Sequence, residues 1–267
     1  MEVQEERKNS RNQKEMSFLD HLEELRKRIL VSLLFIVIAS ILGYVLGKKA
    51  LLLLSMPVAK LYFFSPTEAF LVRLKVAGVI GVFISIPFLL YELWLFIKPG
   101  LYEKERRYAF PLIFSGTILF YTGAFFALLV GLPIGIRVLM SFGGDALVGL
   151  INANRYINFA LILVLSFAFL FQLPIVIIFL VKLGVLDPNT LKRRRKEVIL
   201  GIFLVVAIIT PSVDMVSLLL LAVPLVILFE VSIWASILFV RKNPEPELVV
   251  SSEIDSGEKA EEENPEN

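Results

Sequence analysis

The sequence predicts an all-α polytopic membrane protein, and three observations carry that prediction. The chain is 57% hydrophobic over 267 residues with a mean hydropathy of +0.78, too apolar for a soluble domain. Its apolar residues fall into long runs separated by short polar segments, which gives six candidate spans at 29–46, 70–97, 109–140, 157–181, 198–209 and 215–240. Its basic residues are one-sided. Four segments (the N-terminus, 98–108, 182–197 and the C-terminal tail) hold 7, 4, 6 and 3 lysines and arginines, against Lys48, Lys49, Lys60 and Arg155 on the other side. Positive charge collects on the cytoplasmic face, so both termini are expected inside.

Residues 1–16 mix charges of both signs without an apolar pattern and read as a disordered cytoplasmic tail. The membrane domain is expected over 17–240. It begins with an amphipathic collar, Ser17 to Arg28, in which Ser17 and Asp20 have capping-box spacing. Phe18, Leu22, Leu25 and Ile29 form one helical stripe. Glu23–Lys27 and Glu24–Arg28 are i, i+4 pairs in the favourable order. A basic flank that only oriented the protein would not need two adjacent glutamates, whereas a site for a basic ligand would.

The first span is expected to end near Lys48 and Lys49. The following stretch, 50–69, is apolar but broken by Pro57 and Pro66, which suggests a short interfacial helix. The second span has Arg73 and Lys75 near its outer end and Tyr91 and Trp94 belting its inner end. The third is long enough to tilt or project. Gly143, Gly144, Asp145, Asn152 and Asn154 mark an external loop before the fourth span. Asp187-Pro188 and the basic run 192–196 mark an internal loop after it. Twelve residues give the fifth span only roughly 18 Å, well under the ~30 Å of a bilayer core. The turn T-P-S-V-D leads into the sixth, and residues 241–267 read as a disordered acidic tail.

Composition also excludes chemistry. Without cysteine there is no thiolate nucleophile or thiolate metal site, and the single histidine, His21, lies outside every span. No metal, cofactor, nucleic acid or catalytic residue is expected. No serine–histidine arrangement, intramembrane aspartate pair or phosphate-binding glycine loop is present. The N-terminal 28 residues lack the short apolar region of a cleaved signal peptide.

Inside the spans, Pro87, Pro111, Pro133, Pro174 and Pro224 place prolines in spans two, three (twice), four and six, which suits bent helices in a curved wall. Glu230 falls near mid-depth, as a functional carboxylate or as a protonated or paired structural acid. Glu92 is nearer the inner surface and is expected to snorkel. Gln172 reads as interhelical glue.

Five patterns in order, H-L-E-E-L-R-K-R-I (21–29), F-S-P-T-E-A-F (64–70), L-Y-E-L-W-L-F-I-K-P-G-L-Y-E-K-E-R-R (90–107), L-F-Y-T-G-A-F-F (119–126) and I-T-P-S-V-D-M-V-S (209–217), closely resemble the TatC family, the multi-spanning C subunit of the twin-arginine protein translocase. The likeness covers about 17–240. It implies six spans in a concave, cupped wall with short fifth and sixth spans. It also implies a prokaryotic cytoplasmic membrane location and a receptor for signal peptides of folded precursors that bear two consecutive arginines. Single-span A-type and B-type partners, several copies in a hetero-oligomer and drive by the proton-motive force follow from the same resemblance. The family's recognition glutamates fall on Glu24 and Glu105, with Arg26 and Phe96 on the same inner surface. Pro57 and Asp214 match a loop proline and an outer-turn acid. Where the family has glutamate in F-E-x-P, this chain has Gln172.

Two carboxylates suit two guanidinium forks, so the residue chemistry agrees with the resemblance. Because the fifth span is short, Ala207, Ile208 and Ile209 are expected to pack beside a single-span partner. The alternative is a proton-coupled secondary transporter of a small solute using Glu92 and Glu230. No pair of interrupted spans in corresponding halves marks the site such a transporter needs.

Overall fold

The computed structural model describes residues 18–58, 60–98, 109–143, 150–182, 185–209 and 215–242. Glu105, Asp214, the 1–16 tail and most of the 241–267 tail lie outside them, as does the Ser17 cap.

Helix α1 runs Phe18–Ser55. It is longer than the expected span, and the stretch after Lys49 continues it instead of forming a separate interfacial helix. The reason is local: lysine is a good helix former, and the first breaker is Pro57. Pro57 sits half-buried in the turn that follows.

Helix α2, Pro66–Ile97, starts with proline at its first position and returns alongside α1. Two glycines set their separation. A Cβ at Gly43 would strike the Ala77 carbonyl oxygen, and one at Gly81 would strike Ser40 Oγ.

The third span is α3 (Ala109–Phe126), a π-helical turn (Ala127–Gly131) and α4 (Leu132–Ser141). The fourth is α5 (Ala153–Leu170) and α6 (Leu173–Lys182), broken at Phe171 and Gln172. Then come a short α7 (Pro188–Arg193), capped by Asp187, α8 (Arg195–Ile209) and α9 (Met215–Lys242). Among the described residues the spans 29–181 correspond to four helical stretches long and apolar enough to cross a membrane. Helix α8 has 15 residues, three more than the expected span because it begins in the basic run at Arg195, and is still short. Helix α9 has 28, so the sixth helix is not short; its described apolar core is Leu221–Ile237.

The prolines act at identifiable places. Pro87 cannot donate to Phe83 O, and the Tyr121 hydroxyl of α3 donates to that carbonyl instead, at 2.8 Å. The π-turn lies immediately before Pro133, and the α5–α6 break lies immediately before Pro174. Pro111 falls in the first turn of α3, where no intrahelical bond is lost.

Helix α5 is the centre of the packing. Ile157, Ala160, Leu163, Phe167 and Ala168 are fully buried along one side of it. Helix α1 is the opposite case, packed chiefly on α2 and otherwise exposing Ile41, Leu42 and Val45 as a lipid-facing helix does.

Candidate functional site

The first turns of α1 and the last turns of α2 meet at one end of the molecule, here the near end. Arg28 lies between two carboxylates. Its Nη1 donates to Glu92 Oε2 at 2.9 Å, and its Nη2 donates to Glu24 Oε1 at 3.1 Å. The Glu24 bond is the predicted i, i+4 pair; its Glu23–Lys27 counterpart does not close among the described residues. Glu92 does not snorkel. It is buried, with 9% of its side chain exposed, because Arg28 gives it a charged partner at the same depth. Glu24 keeps 31% of its side chain exposed. The Arg28 Nε is buried with no hydrogen-bond partner.

Phe96 stacks on His21 at 4.4 Å between ring centroids, which closes this end of the α1–α2 seam. Below it opens a mainly apolar groove of roughly 320 Å³ lined by Leu25, Arg28, Ile29, Ser32, Leu33, Ile36, Leu89, Glu92, Leu93 and Phe96. Glu24 and Phe96 thus lie at the same end of the α1–α2 seam, Glu24 through Arg28 and Phe96 through His21. Arg26 projects from a different face of α1, exposed and without an ion pair among the described residues. Glu105 lies outside the described residues. His21 and Glu92 are the members of this cluster that sequence reasoning missed. The available signal was depth, since Glu92 and Arg28 fall at the same distance from the inner surface in an antiparallel pair.

A second ionic pair joins α8 to α9, with Arg195 Nη2 3.2 Å from Glu230 Oε2. Glu230 is thus held by a residue of the basic run 192–196. Gln172 Nε2 donates to the Gly116 carbonyl at 3.0 Å, bonding the α5–α6 break to α3 as interhelical glue. Ala207 is half-buried and Ile208 is exposed on α8, while Ile209 ends the helix.

The opposite, far end is built from different bonds. Glu68 accepts from Phe64 N at 2.9 Å and Asn154 N at 3.2 Å. Lys75 Nζ donates to Asn154 Oδ1 at 2.8 Å and Asn158 Oδ1 at 2.9 Å. Tyr62 and Asn152 form a parallel bridge, and Asn152 caps α5 through Arg155 N. The Tyr156 hydroxyl donates to Leu54 O.

Long apolar helices, two of them interrupted beside prolines, with paired arginines and carboxylates, define a multi-pass α-helical membrane protein. Among the described residues no group of histidines and acids could hold a metal ion. The chain belongs to the family of the Sec-independent protein translocase protein (TatC), whose profile matches residues 20–224. It is 40% identical over 225 residues to the Carboxydothermus hydrogenoformans protein of that name, covering 83% of this chain and 93% of that one. Aquifex aeolicus TatC is 35% identical, covering 86% and 98%. Bacillus subtilis TatCy is 36% identical, covering 85% and 91%. A crystal structure described as the twin arginine translocase receptor TatC superposes with a TM-score of 0.72 at 34% identity, over 81% of this chain and 99% of that one. The chain is accordingly a component of a protein translocase.

Proposed function

We propose that this chain is the signal-peptide receptor of its translocase, with Glu24 and Glu105 accepting the two arginines of a precursor's signal peptide beside Phe96 and Arg26. The observation that carries this reading is Glu24 itself. It is a partly exposed carboxylate that already accepts a guanidinium at 3.1 Å, on the surface that also carries Phe96. A carboxylate takes the planar arginine fork with a geometry that lysine cannot reproduce. In this reading six spans form a concave wall with both termini in the cytoplasm of a prokaryotic cell, and the near end is the cytoplasmic surface. Single-span A-type and B-type subunits join it in a hetero-oligomer of several copies, and the proton-motive force drives export of folded precursors. The outer half of α8, around Ala207, Ile208 and Ile209, is where a single-span partner and membrane lipid complete the short fifth span. Pro57 and Asp214 shape the outer turns. Glu92 and Glu230, the acids a proton-coupled transporter would use, are each held by an arginine, which favours the receptor reading over that alternative.

The test is photocrosslinking. A reactive residue at 105 should capture a twin-arginine precursor and far less of its twin-lysine counterpart, and one at 207 should capture the B-type subunit. Equal capture of both precursors from 105 would remove the receptor assignment.

A further inference from the structure

The near end holds two carboxylates and one guanidinium, and the guanidinium belongs to the chain itself. Arg28 spends one nitrogen on buried Glu92 at 2.9 Å and another on half-exposed Glu24 at 3.1 Å, and its Nε has no partner. Three facts distinguish the two carboxylates. The Glu92 contact is shorter, Glu92 is the more buried, and Glu92 lies on the other helix, 64 residues away. Arg28 is thus anchored on Glu92 and shared with Glu24. The triad carries one net negative charge, so there is electrostatic room for one more cation at its exposed corner, which is Glu24.

We infer that Arg28 is the resident occupant of Glu24 and sets the receptor's specificity, because an incoming guanidinium must take the Glu24 carboxylate from Arg28 while Glu92 retains it. This rests on the reading of Glu24 as a receptor carboxylate. The exchange can raise the number of charge-assisted bonds to Glu24 from one to a planar bidentate pair only if the newcomer presents a fork. A ligand arginine replaces the Nη2–Oε1 bond with one or two of its own, and Arg28 turns its freed nitrogen toward Glu92. A ligand lysine offers a compact, strongly hydrated point charge in place of a fixed fork and displaces Arg28 less well. In this arrangement Arg28 is a positioning residue. It occupies the Glu24 carboxylate before the ligand arrives, and it penalises cations that cannot match it.

The test compares two variants of the full chain in detergent or nanodiscs, with twin-arginine and twin-lysine signal peptides as probes. Arg28→Gln removes the competitor and leaves two uncompensated carboxylates. It should tighten both peptides, the lysine one more, so that the arginine-to-lysine affinity ratio narrows by about three- to tenfold, a shift of roughly half to one decade. Glu92→Gln removes the anchor and leaves Arg28 wholly to Glu24. It should weaken the twin-arginine peptide by a similar factor. Both variants break the same α1–α2 link, so a merely structural role moves them in the same direction, and that result overturns the inference. The ratio of two affinities within one variant does not depend on how much of the sample is folded; an unchanged ratio in Arg28→Gln overturns it as well. Glu24→Gln serves as the control. If Glu24→Gln binds the twin-arginine peptide as the wild type does, the receptor reading fails and the inference with it. If Glu24→Gln weakens binding while the other two shift together, only the inference fails.

Discussion

The two ends of the α1–α2 pair solve the same problem with opposite chemistry. At the far end, charged and polar side chains bond to backbone groups and neutral amides: Glu68 to two backbone N–H groups, Lys75 to two asparagines, and the neutral Tyr156 to a carbonyl. At the near end, charge bonds to charge: Arg28 to Glu24 and Glu92. A backbone partner is fixed by the fold and cannot be exchanged, so the far end is a fastening. A carboxylate accepts any suitably placed guanidinium, so the near end can exchange one partner for another at little net loss. On the receptor reading proposed above, the far end is the end that holds and the near end is the end that receives.

Three changes would break or sharpen this contrast. The largest effect is expected at the receiving end. Glu24→Gln should weaken a twin-arginine peptide by one to two decades, since a charge-assisted hydrogen bond contributes about 1.5–3 kcal/mol. The loss should shrink as salt rises, because an exposed pair is screened. Calorimetric titration at low and high salt measures both, and the chain's own unfolding should change little.

Tyr156→Phe should do the reverse. It leaves the Leu54 carbonyl without its buried donor, so the unfolding free energy should fall by about 1–3 kcal/mol, with peptide affinity unchanged. Denaturation in detergent with a parallel binding assay checks the pair. A drop in peptide affinity here would show that the ends are coupled.

The smallest effect lies between the ends. Gln172→Leu removes one interhelical bond to Gly116 O, and bonds of this kind in membrane helices contribute about 0.6–1.7 kcal/mol. Peptide binding should survive while transport is lost, and Gln172→Glu should retain both. Normal transport by Gln172→Leu would reduce Gln172 to a tolerated polar residue.

How much of this was legible depended on distance along the chain. The Glu24–Arg28 pair is a local spacing, and the structure forms it. Pro133 and Pro174 stand beside the π-turn and the α5–α6 break, because a missing N–H is a property of one residue, whereas Pro87 and Pro224 lie inside unbroken helices. The boundary of α1 was misplaced because a lysine pair ends a membrane span without ending a helix; the helix stops only near Pro57. The Arg28–Glu92 pair needed the register of two antiparallel helices, which is set by Gly43 against Ala77 and Gly81 against Ser40 rather than by any charge pattern. The far-end bonds were hidden for a related reason. Asparagine in a loop looks like turn chemistry until a lysine from another helix is placed beside it. Glu105 and Asp214 rest on the family likeness alone.

The Tyr121–Phe83 bond has a mechanical meaning. A helix that has lost a rung at proline is most compliant there and behaves as a joint. In this molecule the missing rung is supplied from outside, by a phenol on the neighbouring helix. The hydrogen bonding of α2 at Pro87 then depends on the separation of two helices rather than on either one alone. Stiffness at Pro87 becomes a shared property, present while α2 and α3 stay together and lost when they part.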